Sequence, residues 1–525
     1  MSKENNTTVK ETGSNRMMST AVLMAVIVLA SKGLGLLRDI LTANAFGTGL
    51  DSQAYEIASR LPITIFDFIV GGVVSAAFIP VFAELLVKDS RPAAMKFASS
   101  YINLILLITG GVSVLGVVFA EPLVGILAPD ASLEVLTKAA GLTRIMFPMI
   151  IFTGLAFSFV GILQSLGEFR IPALISLVSN AIMVAYLVFF RDRFGVTGLS
   201  VAMIIGWASQ AAIQIPKLHR LGFSYEIRSG LGSKEIKTAL LSALPILVGT
   251  WTQPICSVIN TAYASGMNGG RAISALSYAN KLYIIIVGIF AFVATNLLFP
   301  YMSRANAAGE EEKAKALMKT SLKILIFIIA PITVGILLLA DPFIALVYER
   351  GEFTAQDTVL TASALRGYAV GMLFMSVNEV LTKAFFSEKR VIVPMVSSLI
   401  SMGANIIAVI LFAERMGVFG VALISALATA LNCVINYCVM HRRKKLFGAG
   451  DWLDVFRSLL CAGVMGVAVY FAHTFFSSHF GAALSLLFSI AAGVIVYAVT
   501  ALLLRSEELM PILRGVKSKL GKKSV

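Results

Sequence analysis

Apolar residues in this chain come in long blocks, and polar residues collect between the blocks. A helix needs roughly 20 apolar residues to cross a bilayer core. Blocks of that kind lie at 18–43, 57–86, 97–120, 140–164, 171–190, 196–216, 239–264, 274–302, 318–340, 360–386, 391–412, 417–440, 455–476 and 481–504. The pattern predicts about 14 membrane helices, taken here as spans 1 to 14. The Gly and Pro inside several blocks are tolerated in membrane helices. No connection is long enough for a separate soluble domain. Residues 1–17 are polar, and the apolar run after them is too long for a cleavable signal, so it reads as span 1 behind a cytoplasmic tail.

Composition agrees with the blocks. Hydrophobic residues make up 58% and charged residues 14%, with a mean hydropathy of +0.86. A soluble domain is about 25% charged, so a soluble enzyme, a disordered chain and a coiled coil are excluded. Lys and Arg number 43 against 29 Asp and Glu, a formal charge of +14. An even number of spans puts both termini on one side. With that side cytoplasmic, about 28 basic residues lie inside and about 6 outside, the expected positive-inside bias. The run His441-Arg442-Arg443-Lys444-Lys445 reads as the flank of span 12 rather than as a nucleic-acid site. Cys256, Cys433, Cys438 and Cys461 sit in apolar runs without metal-ligand spacing. There is no phosphate-binding GxxxxGK[ST] loop, no HExxH and no GxSxG. The reading is a transporter rather than an enzyme, with no cofactor and no metal.

The chain also repeats itself. At an offset near 220, Glu121-Pro122-Leu123 matches Asp341-Pro342-Phe343, and Pro80 matches Pro300. Pro172 matches Pro394, and Gly195-Val196-Thr197-Gly198 matches Gly417-Val418-Phe419-Gly420. One offset maps spans 1–6 onto 7–12. Six is even, so the halves share an orientation and are parallel repeats, a transporter architecture. Spans 13 and 14 are an addition.

A charge at membrane depth costs at least about 2.5 kcal/mol on insertion scales, so it usually meets water or a partner. Lys32, Arg38, Asp39, Arg60, Asp67, Arg144, Lys281, Arg366, Glu379 and Lys383 lie in or beside the apolar blocks. Glu379 and Lys383 have i, i+4 spacing suited to pairing. The remainder is mainly cationic, which suits an anion and phosphate in particular. Gln253, Asn260, Asn280, Asn296, Asn378 and Asn405 add hydrogen-bonding capacity, to a headgroup or between helices.

Four segments carry a resemblance. SKGLGLLRDILTANAFGTG (31–49), RLP with SAAFIPVFAE (60–62, 75–84), LSYANKLYIIIVGIF (276–290) and ALVYERGEFTAQDTVLTASAL (345–365) resemble the MurJ lipid II flippases of the MOP exporter superfamily. The resemblance covers about the first 440 residues, and the two extra spans fit it. It implies two lobes alternating access around a cationic cleft. Lys32, Arg38, Asp39, Arg60, Asn280 and Lys281 would bind the pyrophosphate headgroup, and Asp51, Gln53, Asn260 and Asn405 would line the cleft. Lys32 and Lys281 stand where the family has Arg, Asn280 where it has an acid, and Gln53 where it has Asp. Span 2 departs most, with Phe66, Asp67 and Gly71 where the family has a basic, Glu-containing stretch. The sodium-binding acids of some members are Asn260 and Val409 here, so no sodium site is expected.

The expected architecture is an all-α polytopic membrane protein. Its parts are a cytoplasmic tail at 1–17, an N-lobe at 18–220 and a C-lobe at 234–445. Helices 13 and 14 at 453–504 would form a groove for the lipid tail, and 505–525 a basic cytoplasmic tail. The expected function is flipping lipid II to the outer leaflet of the bacterial inner membrane for cell-wall synthesis, with an undecaprenyl-linked substrate and no nucleic acid. Cell-wall synthesis enzymes are the expected protein partners. The alternative is another exporter of the superfamily, for a polyprenyl-linked oligosaccharide or an organic cation.

Overall fold

A computed structural model describes residues 4–69, 78–88, 90–227, 230, 233–241, 251–388, 390–506 and 508; for 4–23, 25, 290–300, 303 and 307 it describes the backbone alone. Among the described residues the regular structure is helical. The expected Gly71, residues 75–77 of the span 2 motif, and 509–525 of the basic tail lie outside the described residues.

The chain opens with α1 (Glu4–Phe46) and α2 (Leu50–Ile69). Next come α3 (Ile79–Lys88), α4 (Arg91–Val118), α5 (Ala120–Leu127), α6 (Leu133–Met146), α7 (Met149–Ser165), α8 (Arg170–Phe189), α9 (Arg191–Ala212) and α10 (Ile215–Arg220). The later helices are α11 (Thr252–Ser265), α12 (Arg271–Ala307), α13 (Glu311–Tyr348), α14 (Ala355–Ala369), α15 (Met372–Ser387), α16 (Ile392–Lys444), α17 (Ala449–Ser477) and α18 (Ala482–Leu503).

Among the described residues, eight helices are long and apolar enough to cross a bilayer, or ten if each of two bent pairs is one span. The expectation was about 14. One reason is α16: its 53 residues run for about 80 Å at 1.5 Å per residue, far beyond a core of about 30 Å. Gly417, at φ 61 and ψ −150, breaks it where span 12 was expected to open. So divided, these helices account for spans 3 to 6 and 8 to 14. Residues 70–77 and 242–250, inside expected spans 2 and 7, lie outside the described residues.

The internal repeat is visible in the backbone. Gly195 breaks α9 at φ 52 and ψ −146, the counterpart of Gly417, in a region only glycine enters cheaply. The bent pairs correspond as well: α6 and α7 meet at 42°, α14 and α15 at 45°. Their local causes differ. Pro148 stands at the first bend, without an N–H to continue the ladder. Gly371 stands at the second, where a Cβ would lie 2.9 Å from that of Ala426.

Ion pairs repeat too. Arg144 meets Glu121 at 2.7 Å, and Arg366 meets Asp341. Lys217 meets Glu168 at 2.8 Å, and Lys444 meets Glu388 at 2.5 Å, with Arg443 joining at 2.8 Å. A third pair keeps its place and exchanges its signs: Asp51–Lys138 in the first half, Arg271–Asp357 (3.7 Å) in the second. Burial alone would raise the carboxyls of Glu168 and Glu388. The basic partners outweigh it and hold both below the usual carboxylate range.

Contacts divide the chain into two compact units, Met1–Gly270 and Arg271–Val525. Helix α11 opens the second half of the sequence repeat, yet its described ties are to the first unit. Arg60 donates to Thr261 Oγ1, and the Asp130 N–H donates to Ser265 Oγ at 3.1 Å. Beside α11, Trp251 Nε1 donates to the Phe68 carbonyl at 2.8 Å.

Candidate functional site

The first unit carries a buried charge cluster on α1. Arg38 contacts Asp39 Oδ1 through Nη2 at 2.9 Å and Nε at 3.2 Å. Its Nη1 donates to Asn180 Oδ1 at 2.9 Å. Asn180 on α8 in turn donates from Nδ2 to the Ser31 carbonyl at 3.3 Å. Gly35 leaves room for this amide: a Cβ there would lie 3.4 Å from Asn180 Nδ2. Asp39 is buried, while the Arg38 side chain keeps 29% of its surface. Arg38 therefore has two oriented acceptors and some exposed surface, as an anion site requires. Tyr55 and Glu56 on α2 are buried, and the Glu56 carboxylate adds negative potential at Arg38.

The other expected site residues divide into two groups. Lys32 is half-buried with no ion-pair or hydrogen-bond partner among the described residues. Arg60 is engaged with Thr261, the neighbour of Asn260. Lys281, in the second unit, lies over the Tyr278 ring at 5.3 Å. That ring is fully buried against Tyr348 and Phe353, so the ammonium has a fixed aromatic support. Asn280 beside it is half-buried. Asp51 and Gln53 are drawn into the fold at the α1–α2 turn. Asp51 pairs with Lys138, and Gln53 is buried with Nε2 donating to the Thr48 carbonyl at 3.2 Å. Asn405 is buried, and its Oδ1 finds no hydrogen-bond partner among the described residues. No ion pair joins Glu379 to Lys383 among the described residues, although their spacing permits one.

Three features escape a reading of the sequence. Asn180 and Glu56 are single polar residues whose importance comes from the helix they face. The second is an amide seam in the second unit, of which the sequence singles out Asn378 alone. Asn436 Nδ2 donates to Asn378 Oδ1 (2.8 Å) and Asn432 Oδ1 (3.0 Å), and Ser397 Oγ contacts both Asn432 and Asn436. The third is an ion network joining α13 to α17, with Lys323 between Asp451 (2.9 Å) and Asp454 (2.5 Å). Lys319 also meets Asp451, and Arg457 meets Asp454. Lys323 inside span 9, and Asp454 one residue before span 13, were the available signals.

Beyond Lys323 on α13, an apolar cavity of about 350 Å³ opens between α13, α17 and α18. Phe327, Pro331, Leu339, Met465, Leu486 and Tyr497 are among its lining residues. The Tyr497 hydroxyl is satisfied within the wall by the Phe327 carbonyl at 2.6 Å. The lining therefore presents almost only hydrocarbon, which suits an acyl or polyprenyl chain.

Two solved structures define the class. An inward-facing multidrug resistance MATE transporter of the MOP superfamily has a TM-score of 0.67 at 16% identity, covering 80% of this chain and 98% of that one. This chain therefore shares the fold of that transporter. "Lipid II flippase MurJ, inward closed conformation" has a TM-score of 0.81 at 25% identity, covering 92% of this chain and 99% of that one. The family profile described as "Lipid II flippase MurJ" matches residues 42–491, and the chain belongs to that family. A probable lipid II flippase MurJ of Bdellovibrio bacteriovorus is 30% identical over 429 residues, 80% of this chain and 81% of the relative. One from Rhizobium meliloti is 25% identical over 520 residues, 95% and 96% of the two chains.

Proposed function

We propose that this chain carries undecaprenyl-linked lipid II from the inner to the outer leaflet of the bacterial inner membrane by alternating access, with both termini cytoplasmic. The Arg38–Asp39–Asn180 cluster is the observation that carries the site assignment. Asp39 and Asn180 hold the guanidinium, and its exposed part receives pyrophosphate oxygen. Lys32 adds a second cation on the same helix, and Lys281 supplies one from the second unit. Arg60 and Asn280 are further headgroup contacts. The lobes correspond to 18–220 and 234–445, and the apolar groove of α13, α17 and α18 takes the polyprenyl tail. An organic-cation exporter is a weaker reading: of the acids it would use, Asp39 is neutralised by Arg38, which leaves Asp67 and Glu379 against the cations Lys32, Arg38, Arg60 and Lys281.

No nucleotide is hydrolysed in this scheme. After release, the emptied cationic site is drawn inward by the membrane potential, worth about 2.3 kcal/mol per charge per 100 mV. The delivered lipid goes to the enzymes that polymerise cell wall. Cells depleted of their own lipid II flippase test the function: expression of this chain restores growth and surface-exposed lipid II. Failure to rescue, with the protein present in the membrane, would contradict the reading.

A further inference from the structure

In the first unit Asp39 pairs with Arg38, Asp51 with Lys138, Glu121 with Arg144 and Glu168 with Lys217. Asp67 on α2 differs. It is half-buried and has neither an ion-pair nor a hydrogen-bond partner among the described residues. Its chain neighbours are committed elsewhere. Phe66 packs against Phe157 with ring centres 5.7 Å apart, and Phe68 meets Trp251 edge-on at 6.0 Å. Successive helical residues point about 100° apart, so Asp67 has a sector of its own.

Its depth can be read from the helix rise. Asp67 is 17 residues from Leu50, about 25 Å along α2 from the outer turn. Lys32 is 14 residues before Phe46, about 21 Å along α1 from the same turn. Only residues 47–49 separate α1 from α2, and two consecutive membrane spans joined by so short a turn lead back from the same side of the bilayer. An ammonium and a carboxylate, neither with an ionic partner among the described residues, thus lie at similar depth on consecutive helices. Each is costly in hydrocarbon unless water or a ligand of opposite charge meets it. If their role were only structural, pairing of the two would remove both costs; they do not pair.

We propose that Asp67 receives an ammonium group of the transported headgroup, so that Lys32 and Asp67 together select a headgroup carrying both an anion and an amine. The inference rests on the lipid II reading and deepens it: the peptide part of such a headgroup bears a free side-chain amine, and Asp67 is its contact. Asp67 is then a specificity residue, and it acts on the substrate's amine rather than on its phosphate.

The test uses the purified full chain in liposomes loaded with lipid II or with lipid II whose peptide amine is acetylated. Wild type exposes the amine-bearing lipid about tenfold faster, the scale of one hydrogen bond to a charged group. Asp67→Glu keeps the preference. Asp67→Asn lowers the amine-bearing lipid to the acetylated rate and leaves the acetylated rate unchanged, which also shows that the variant is folded. Equal wild-type rates for the two lipids overturn the proposal, as does an Asp67→Asn variant that slows both alike or still discriminates. Flipping of neither lipid overturns the lipid II reading itself, and this inference with it.

Discussion

The two units share a scaffold and differ in what they hold inside it. Gly195 and Gly417 adopt nearly the same backbone conformation, and the bent pairs turn through 42° and 45°. Glu168 and Glu388 occupy matching loops and pair with bases near the ends of spans 6 and 12. At membrane depth the likeness ends. The first unit buries Asp39 and Glu56 around Arg38, whereas the second packs Asn378, Asn432, Asn436 and Ser397 into a neutral amide seam. Duplication therefore preserved what bends and closes the helices, while the interior chemistry diverged. A neutral seam glues helices in hydrocarbon; a partly exposed guanidinium with fixed acceptors can exchange one anion for another.

The comparison breaks most readily at the charge cluster. Asp39→Asn leaves the partly exposed Arg38 without its carboxylate, and loss of a hydrogen bond to a charged group costs about 1.5–3 kcal/mol. Transport and thermal stability both fall. Asn436→Ala in the seam costs about 1–3 kcal/mol, lowers thermal stability, and leaves the transport rate per folded molecule unchanged. A transport defect from Asn436→Ala as large as that from Asp39→Asn would erase the distinction between the units.

The shared scaffold is tested next. Alanine at Gly195 or Gly417 must hold a conformation that costs a non-glycine residue about 1–3 kcal/mol. Melting of the purified variants in detergent should drop by similar amounts. A drop at one position alone would mean that the two breaks do not carry equal structural weight.

The smallest effect concerns the loop carboxylates. Glu168 and Glu388 have folded values below their unfolded ones, so their contribution is present above the ordinary carboxylate value of about 4.3 and is lost as pH falls through the lower folded value. Each pair is worth about 1 kcal/mol or less. Glu388→Gln should lower stability at pH 7 and leave it unchanged at pH values low enough to protonate Glu388 in the native protein. An equal loss at both ends of that range would assign Glu388 a role other than ion pairing.

Much of the fold is legible in the sequence because hydrocarbon imposes a length and a repeat imposes an offset. The break at Gly417 and the doubled span inside α16 follow from residues 417–420 alone. The pairing of Arg144 with Glu121 and of Arg366 with Asp341 is not legible, since it joins consecutive helices through residues more than 20 positions apart. Candidate site residues stand out in the sequence where charge lies inside an apolar run, as with Lys32, Arg38 and Lys281. Asn180 is not, because an amide in a membrane helix has the same sequence signature whether it glues helices or orients an arginine. Asp51 and Gln53 show the converse: polar residues beside the right span, one paired with Lys138 on α6 and the other bonded to the α1–α2 turn at Thr48.

The central claim is that cations at membrane depth carry the pyrophosphate of lipid II. The direct measurement is lipid II translocation in liposomes under an imposed inside-negative potential, comparing wild type with Arg38→Ala and Lys281→Ala. Loss of one charge-assisted contact is worth about 1.5–3 kcal/mol, so each variant should translocate roughly 10- to 150-fold more slowly. Wild-type rates in both variants would contradict the account.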